Sequence, residues 1–326
     1  MSELQELSAQ LIALARKAGA HSADALSVAD ISDAIRVRHA QVESVEHEDS
    51  RGIGLRAFMD KRVDKQGKAG SGLAFASAST SDLSGAGLHR LVEQVVGMAR
   101  ISEADPDAVP PVGAVHPDAQ QMAEWQKHHP CPESAWSIEA AREAALQCEA
   151  AALDYSDKIS NSEGAESGFG RMRVAYACSD GFAAAYEKTS ASLSASVIAG
   201  ESDAMQRDYA WDRQLSGEAL RKPEAIGIEA AERTVKRLGS SGMNSGSMPV
   251  IFEPRVTTSL LGHLSAAVNG RAILQQRSFL GEALQEKIFP DFVSIADDPD
   301  HPDGLGNRLF DGEGSRCKHL QLIDQG

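Results

Sequence analysis

Leucines recur at helical spacing at the start of the chain: Leu4, Leu7, Leu11 and Leu14 share one face, and Ser2 with Gln5 makes a capping-box pair. From Ala25 to Ala76 the apolar period shortens towards two, which predicts strands around 34–38, 41–47, 54–59 and 70–76, with 60–67 as a charged hairpin tip. Leu88, Leu91, Val95 and Met98 then restore the helical period and predict a helix over 81–101. A helix, a strand meander and a helix make an α+β module over 1–105.

Residues 106–135 hold Pro106, Pro110, Pro111, Pro117, Pro130 and Pro132 and read as a Pro-rich connection. An Ala-rich helix over 137–153 opens a middle α+β module spanning 136–239, with strands at 171–178 and 183–198. A helix over 223–238 closes it, with Pro223 in its first turn and Gly239 at its stop. The Gly/Ser-rich stretch 239–247 is a linker. A third module, 248–326, opens with a strand at 249–252 and a helix over 254–269 closed by Gly270, and ends on a strand at 320–323. No repeat of fixed period is visible.

Composition narrows the function classes. The 326 residues carry a formal charge of −15, and no Lys/Arg block interrupts the acidity. A direct nucleic-acid binder needs a basic stripe to displace counterions, and an anionic membrane surface makes a similar demand, so both are excluded as direct partners. Aromatics are only 5%, so the core is expected to be aliphatic with close backbone contacts. Cys131, Cys148, Cys178 and Cys317 lie far apart without a C-x-x-C pair, the first twenty residues lack a signal-peptide apolar run, and no stretch is long enough to span a bilayer. Reduced thiols in the cytoplasm are the expectation.

Several motifs invite a chemical reading and yield to a structural one. Gly52-Ile-Gly54-Leu-Arg-Ala57 matches G-x-G-x-x-A, but its glycines precede a strand instead of opening a helix, so no dinucleotide site is expected. The acidic stretch 297–304 misses the calcium-loop pattern: counted from Asp298, position six is Asp303 and position twelve Leu309. Ser245 lies outside a nucleophile-elbow pattern. His128-His129 and the Cys317/His319 pair fall short of a tetrahedral donor set. His263, midway along the expected helix, shares a narrow arc with Val256, Leu260 and Ala267. With Ser259 and Ala267 one turn away on either side, it is expected to pack in a core or at an interface.

Taken in order, a set of segments resembles the TldD/PmbA family. They are Arg51-Gly-Ile-Gly54-Leu-Arg56, Met248-Pro-Val-Ile-Phe-Glu-Pro254, Gly262-His-Leu with Gly270, Ser278-Phe-Leu280, Asp297-Asp-Pro299, Gly304-Leu-Gly306 and Arg308-Leu-Phe-Asp-Gly-Glu-Gly314. The resemblance runs from about residue 25 to the last. Catalytic TldD-type members carry H-E-x-x-x-H on the helix of this third module. Aligned on Ser278, the two histidine positions fall on Leu261 and Ala266, and the glutamate position on Gly262. His263 inherits no ligand role.

The resemblance therefore implies a PmbA/TldE-like, non-catalytic subunit that binds no metal itself. Zinc and the general base would come from a TldD-like metalloprotease partner, and the assembly would cleave small or unfolded peptides in the cytoplasm. It also implies an incomplete, β-rich third module, since family members continue beyond Gly326. Two rival readings remain at this point. One is a hydrolase in its own right, using His263, Glu253 or Asp311. The other is a protein-binding regulator linked to DNA gyrase.

Overall fold

Two long strands, β1 (Ser22–Arg38) and β2 (Gln41–Asp60), form the hairpin on which the fold is built. They pair antiparallel from Ser22↔Phe58 to Arg38↔Gln41. The turn residues His39 and Ala40 both have positive φ (51° and 57°), a conformation that costs a non-glycine residue about 1–2 kcal/mol. Their backbone amides each donate to one oxygen of the buried Glu149 carboxylate, at 2.9 Å in both cases. That pairing is what holds two non-glycine residues in the left-handed region. The computed structural model of the protein describes residues 3–61, 72–105, 108–110, 116–129, 131 and 136–326. Ser2 of the expected capping box, most of the expected hairpin tip and four of the six connection prolines lie outside them.

The hairpin is extended on both sides into one antiparallel six-stranded sheet. Its order is β3-β2-β1-β4-β5-β6, with β3 Leu73–Thr80, β4 Ile159–Cys178, β5 Ala183–Ala199 and β6 Gln206–Gln214. Strand alternation sends Ala165, Ala175 and Ala177 of β4 to one face and Val174, Tyr176 and Cys178 to the other. Against the first face pack α1 (Glu3–Lys17) and α2 (Gly85–Ile101) at one end, burying Leu11, Leu88, Leu91 and Val95. There too lie α4 (Ile138–Leu153) and α5 (Pro223–Lys236) at the other end, around Ala145, Cys148, Ile226 and Ala230. The α4–α5 contact is backbone-close: a Cβ on Gly227 would stand 2.1 Å from the Cys148 carbonyl. Small residues, abundant in the composition, let these helices approach the sheet and each other. On the second face Trp125, from α3 (Ala119–His128), meets Tyr176, Tyr186, Leu309 and Phe310.

The architecture is α+β, as expected. The modules at 1–105 and 136–239 nevertheless share the one sheet, because β1 pairs with β4 from Asp24↔Cys178 to Val37↔Ala165. By compactness the chain forms two units, 1–239 with 299–318, and 240–298 with 319–326. α3 and β6 were not expected, nor were the helix at Gly270–Leu274 and the strand at Ile295–Asp297. α3 lies in the Pro-rich connection, and its only strong signal is the capping box of Asp118 and Gln121. β6 buries Asp208 and Ala210, too polar an inner face to show as a strand in sequence.

The second unit holds α6 (Pro254–Ala267), α7 (Gly270–Leu274) and a two-stranded ribbon of β7 (Ile295–Asp297) and β8 (Leu320–Ile323). It buries Leu264, Ala267 and Ile323. The expected β-rich character is thus confined, among the described residues, to that ribbon. The strand expected at 249–252 does not form: Val250, Ile251 and Phe252 are exposed in irregular backbone. Strand propensity alone does not make a strand without a partner to complete its ladder.

Candidate functional site

α6 carries the positions that the sequence singles out. Pro254 opens it at the first turn, and Ser278 Oγ closes it by donating to the Ala267 carbonyl at 2.6 Å. Of its residues only Leu264 and Ala267 are buried, while Leu261, Gly262, His263 and Ala266 are all exposed. Leu261, Gly262 and Ala266 offer no side-chain nitrogen, sulfur or oxygen, so this turn does not fit a zinc ion. His263 is not in a core. Of the arc it shares with Val256, Leu260 and Ala267, only Ala267 is buried, and Val256 and Leu260 are exposed as His263 is.

Glu253 and His263, two of the groups offered for an independent hydrolase, stand apart along α6. Glu253, at the N-cap of α6, accepts from Arg255 Nε at 2.9 Å. It stands ten residues before His263, roughly 15 Å along a helix. Asp311 is committed to its own turn: Oδ1 accepts from the amides of Glu313 and Ser315 at 2.8 and 2.9 Å.

That turn does something the sequence does not announce. It lays Leu309 and Phe310 against the second face of the sheet and delivers Glu313 to Arg56, with Nη1 and Oε1 2.7 Å apart. Arg56 lies on β2, and its fork also grips Asp24 on β1, with Nε 3.1 Å from Oδ1. Tyr176 Oη donates to Asp24 Oδ2 at 3.2 Å, and Phe58 lies under the guanidinium. Two motif segments more than 250 residues apart, 51–56 and 308–314, thereby meet. Burial disfavours the charge on Arg56, but Asp24 and then Glu313 outweigh it and hold its pKa above the ordinary value. Burial, then the Asp24 charge, push the Tyr176 phenol up, so it acts as a hydrogen donor. Gly314, with φ of 72°, packs flat on Tyr176; a Cβ there would fall 2.3 Å from the ring.

Beside this network lies the one group of three potential metal ligands found among the described residues: His116, Cys178 and Asp180. His116 Nε2 is 3.5 Å from Cys178 Sγ and 3.2 Å from Asp180 Oδ2. Cys178 Sγ donates to Asp180 Oδ1 at 2.8 Å. Burial, then the Asp180 carboxylate, push the Cys178 thiol up to about 12. Burial opposes ionisation of Asp180, but the Cys178 and Phe182 hydrogen bonds and His116 hold its carboxyl below the ordinary range. Sequence reading did not find this group, since 62 residues separate His116 from Cys178 and neither sits in a spaced motif. The residues weighed from sequence, His128, His129, Cys317, His319 and the acids of 297–303, supply none of its members. Gly52 and Gly54 lie inside β2, paired with Val28 and Leu26, where no helix N-terminus can meet a pyrophosphate.

Three consecutive family models match the chain. They are the PmbA/TldA metallopeptidase domain 1 over residues 23–99, the central domain over 131–238 and the C-terminal domain over 245–326. The chain is 31% identical over 294 residues to the metalloprotease PmbA of Escherichia coli O157:H7, covering 90% of this chain and 61% of that protein. It is 29% identical over 327 residues to the metalloprotease PmbA homolog of Haemophilus influenzae, covering 99% and 68%. The chain therefore spans about two thirds of the length of these curated relatives. Its fold is similar to that of a protein described as a modulator of DNA gyrase from Bacteroides thetaiotaomicron. The TM-score is 0.84 at 24% identity, over 100% of this chain and 71% of that one. It is also similar to that of TldE from Thermococcus kodakarensis, with a TM-score of 0.67 at 16% identity, over 98% and 68%.

Proposed function

Because this chain belongs to the PmbA/TldD family, we propose that it is the PmbA/TldE-like, non-catalytic subunit of a heteromeric zinc metalloprotease acting on small or unfolded peptides in the cytoplasm. The resemblance carries the reading: aligned on Ser278, Leu261, Gly262 and Ala266 fall where catalytic TldD-type members have two histidines and a glutamate, and none of the three offers a side-chain metal donor or base. The catalytic zinc and the base then belong to a TldD-like partner.

Two further features support it. Val256, Leu260 and Leu261 are large apolar side chains left exposed on α6, and exposed apolar clusters mark interaction surfaces. The four cysteines are free thiols, in keeping with a reducing compartment.

The test is reconstitution. The chain is mixed with a TldD-like protein, the complex is isolated by size exclusion, and cleavage of an unstructured peptide is followed for each protein alone and for the mixture. Complex formation with cleavage confined to the mixture is the expected result. Chelator-sensitive cleavage by this chain alone, or failure to bind the partner, overturns the proposal.

A further inference from the structure

We propose that His116, Cys178 and Asp180 form a second, non-catalytic binding site for a divalent transition-metal ion of the zinc class, carried by this chain itself. The site lies on the sheet unit, and its residues belong to no part of α6.

The geometry comes first. A tetrahedral zinc ion with Zn–N near 2.0–2.1 Å and Zn–S near 2.3 Å keeps its ligand atoms roughly 3.3–3.6 Å apart. The Nε2–Sγ separation of 3.5 Å and the Nε2–Oδ2 separation of 3.2 Å are already within or close to that range. The Sγ–Oδ1 contact of 2.8 Å is a thiol hydrogen bond, which opens once the proton is gone.

The surroundings are those of a ligand set. His116 turns its other ring nitrogen, Nδ1, to the Gly314 carbonyl at 2.7 Å. A backbone carbonyl can only accept, so Nδ1 carries hydrogen and Nε2 is the atom left to face the metal, the arrangement that ligating histidines show almost without exception. The ring is buried and stacks on Phe182 at 4.1 Å with 2° between the planes. Asp180 is fixed by the Phe182 amide at 3.0 Å and is the partly open side of the group, which leaves a fourth position to water. The Gly314 carbonyl is itself held by the tight 311–315 turn.

The donor set selects the ion. Thiolate and imidazole favour zinc-class cations over magnesium or calcium. On binding, the S–H bond breaks, a sulfur–metal bond forms and the proton leaves to solvent. Thiolate and carboxylate together balance the two positive charges of the ion.

The test uses the full chain, stripped with chelator and titrated with Co2+ and with Zn2+. One Co2+ per chain with a thiolate-to-cobalt charge-transfer band is expected, along with proton release on Zn2+ binding. C178S should lose that band, and D180N and C178S should weaken binding by more than the 10–100-fold typical of second-shell changes. Circular dichroism of each variant checks its fold. A wild-type chain that shows no charge-transfer band, or a folded C178S that keeps it, overturns the proposal. Neither result bears on the reconstitution of protease activity, so the two readings fail separately.

Discussion

Asp24 and Arg56 are direct register partners on neighbouring strands and meet fork to fork, both Nε contacts standing at 3.1 Å. Asp24 is nearly fully buried, and Tyr176 and Glu313 complete the polar set around the pair. Removing one partner of a buried ion pair leaves an uncompensated charge, which typically costs about 3–5 kcal/mol. R56A should lose stability on that scale in urea unfolding, and R56M/D24N should recover much of it. A loss below about 1 kcal/mol in R56A would show the pair to be incidental.

The β1–β2 turn rests on Glu149. E149Q removes the charge that both turn amides and Ser162 Oγ address, and should cost about 1–3 kcal/mol. Conversely, A40G relieves the strain of a positive φ at a turn and should add up to about 1 kcal/mol. Thermal melts of the two variants moving in opposite directions would bear this out, and a destabilised A40G would contradict it.

The α4–α5 contact has no room for a methyl group. G227A puts a Cβ against the Cys148 carbonyl and should destabilise by about 1–3 kcal/mol, as overpacking does. G262A on α6 is the control, because nothing lies within 4 Å of a Cβ there. It should be neutral or stabilising by up to about 1 kcal/mol. If both variants shift stability alike, the close approach at Gly227 is not what limits the site.

Acid should weaken the β5–β6 edge through Glu163. Burial works against ionising this carboxylate, but hydrogen bonds from Ser196 and Arg207 lower its pKa in the folded chain. A lowered folded pKa contributes stability above the unfolded value and loses it as pH falls through the folded one. The wild type should therefore lose more stability than E163Q as pH drops below the ordinary carboxylate value of 4.5. Parallel pH curves for the two would refute the assignment.

Thiol chemistry offers a further check on the core. Burial pushes both Cys148 and Cys178 up to about 12, the first helped by nearby Glu224 and the second by Asp180. Because the thiolate is the reactive form, neither should be alkylated by iodoacetamide at pH 8 in the native chain, and both should label in urea. Labelling of Cys148 at the rate of a free thiol would mean the α4–α5 core opens readily.

Local pattern was legible wherever one face of an element is apolar. The leucine spacing of α1 and the Ala-rich α4 appear at or near the expected positions, but the strands expected at 41–47 and 54–59 are one continuous β2, and the strand expected at 34–38 is only the end of β1, because ladder pairing along the whole hairpin carries both strands through their polar stretches. Chemistry was legible where it rests on residue type alone: no conformation can give Leu261, Gly262 and Ala266 a metal-binding atom. The rest depends on contacts between distant segments. Nothing in residues 249–252 says that their strand-like composition lacks a partner, and nothing in β6 says that Asp208 turns inward. Nor does the Asp311–Gly314 turn reveal in sequence that it will set Glu313 on Arg56 and its carbonyl on His116. Sequence by itself determined the α+β class, the family frame and the lack of side-chain metal donors at Leu261, Gly262 and Ala266, because periodicity and side-chain chemistry are local. Only the tertiary structure decided that two modules share one sheet and that His116, Cys178 and Asp180 meet, because strand pairing and loop closure bring together residues that no local pattern links.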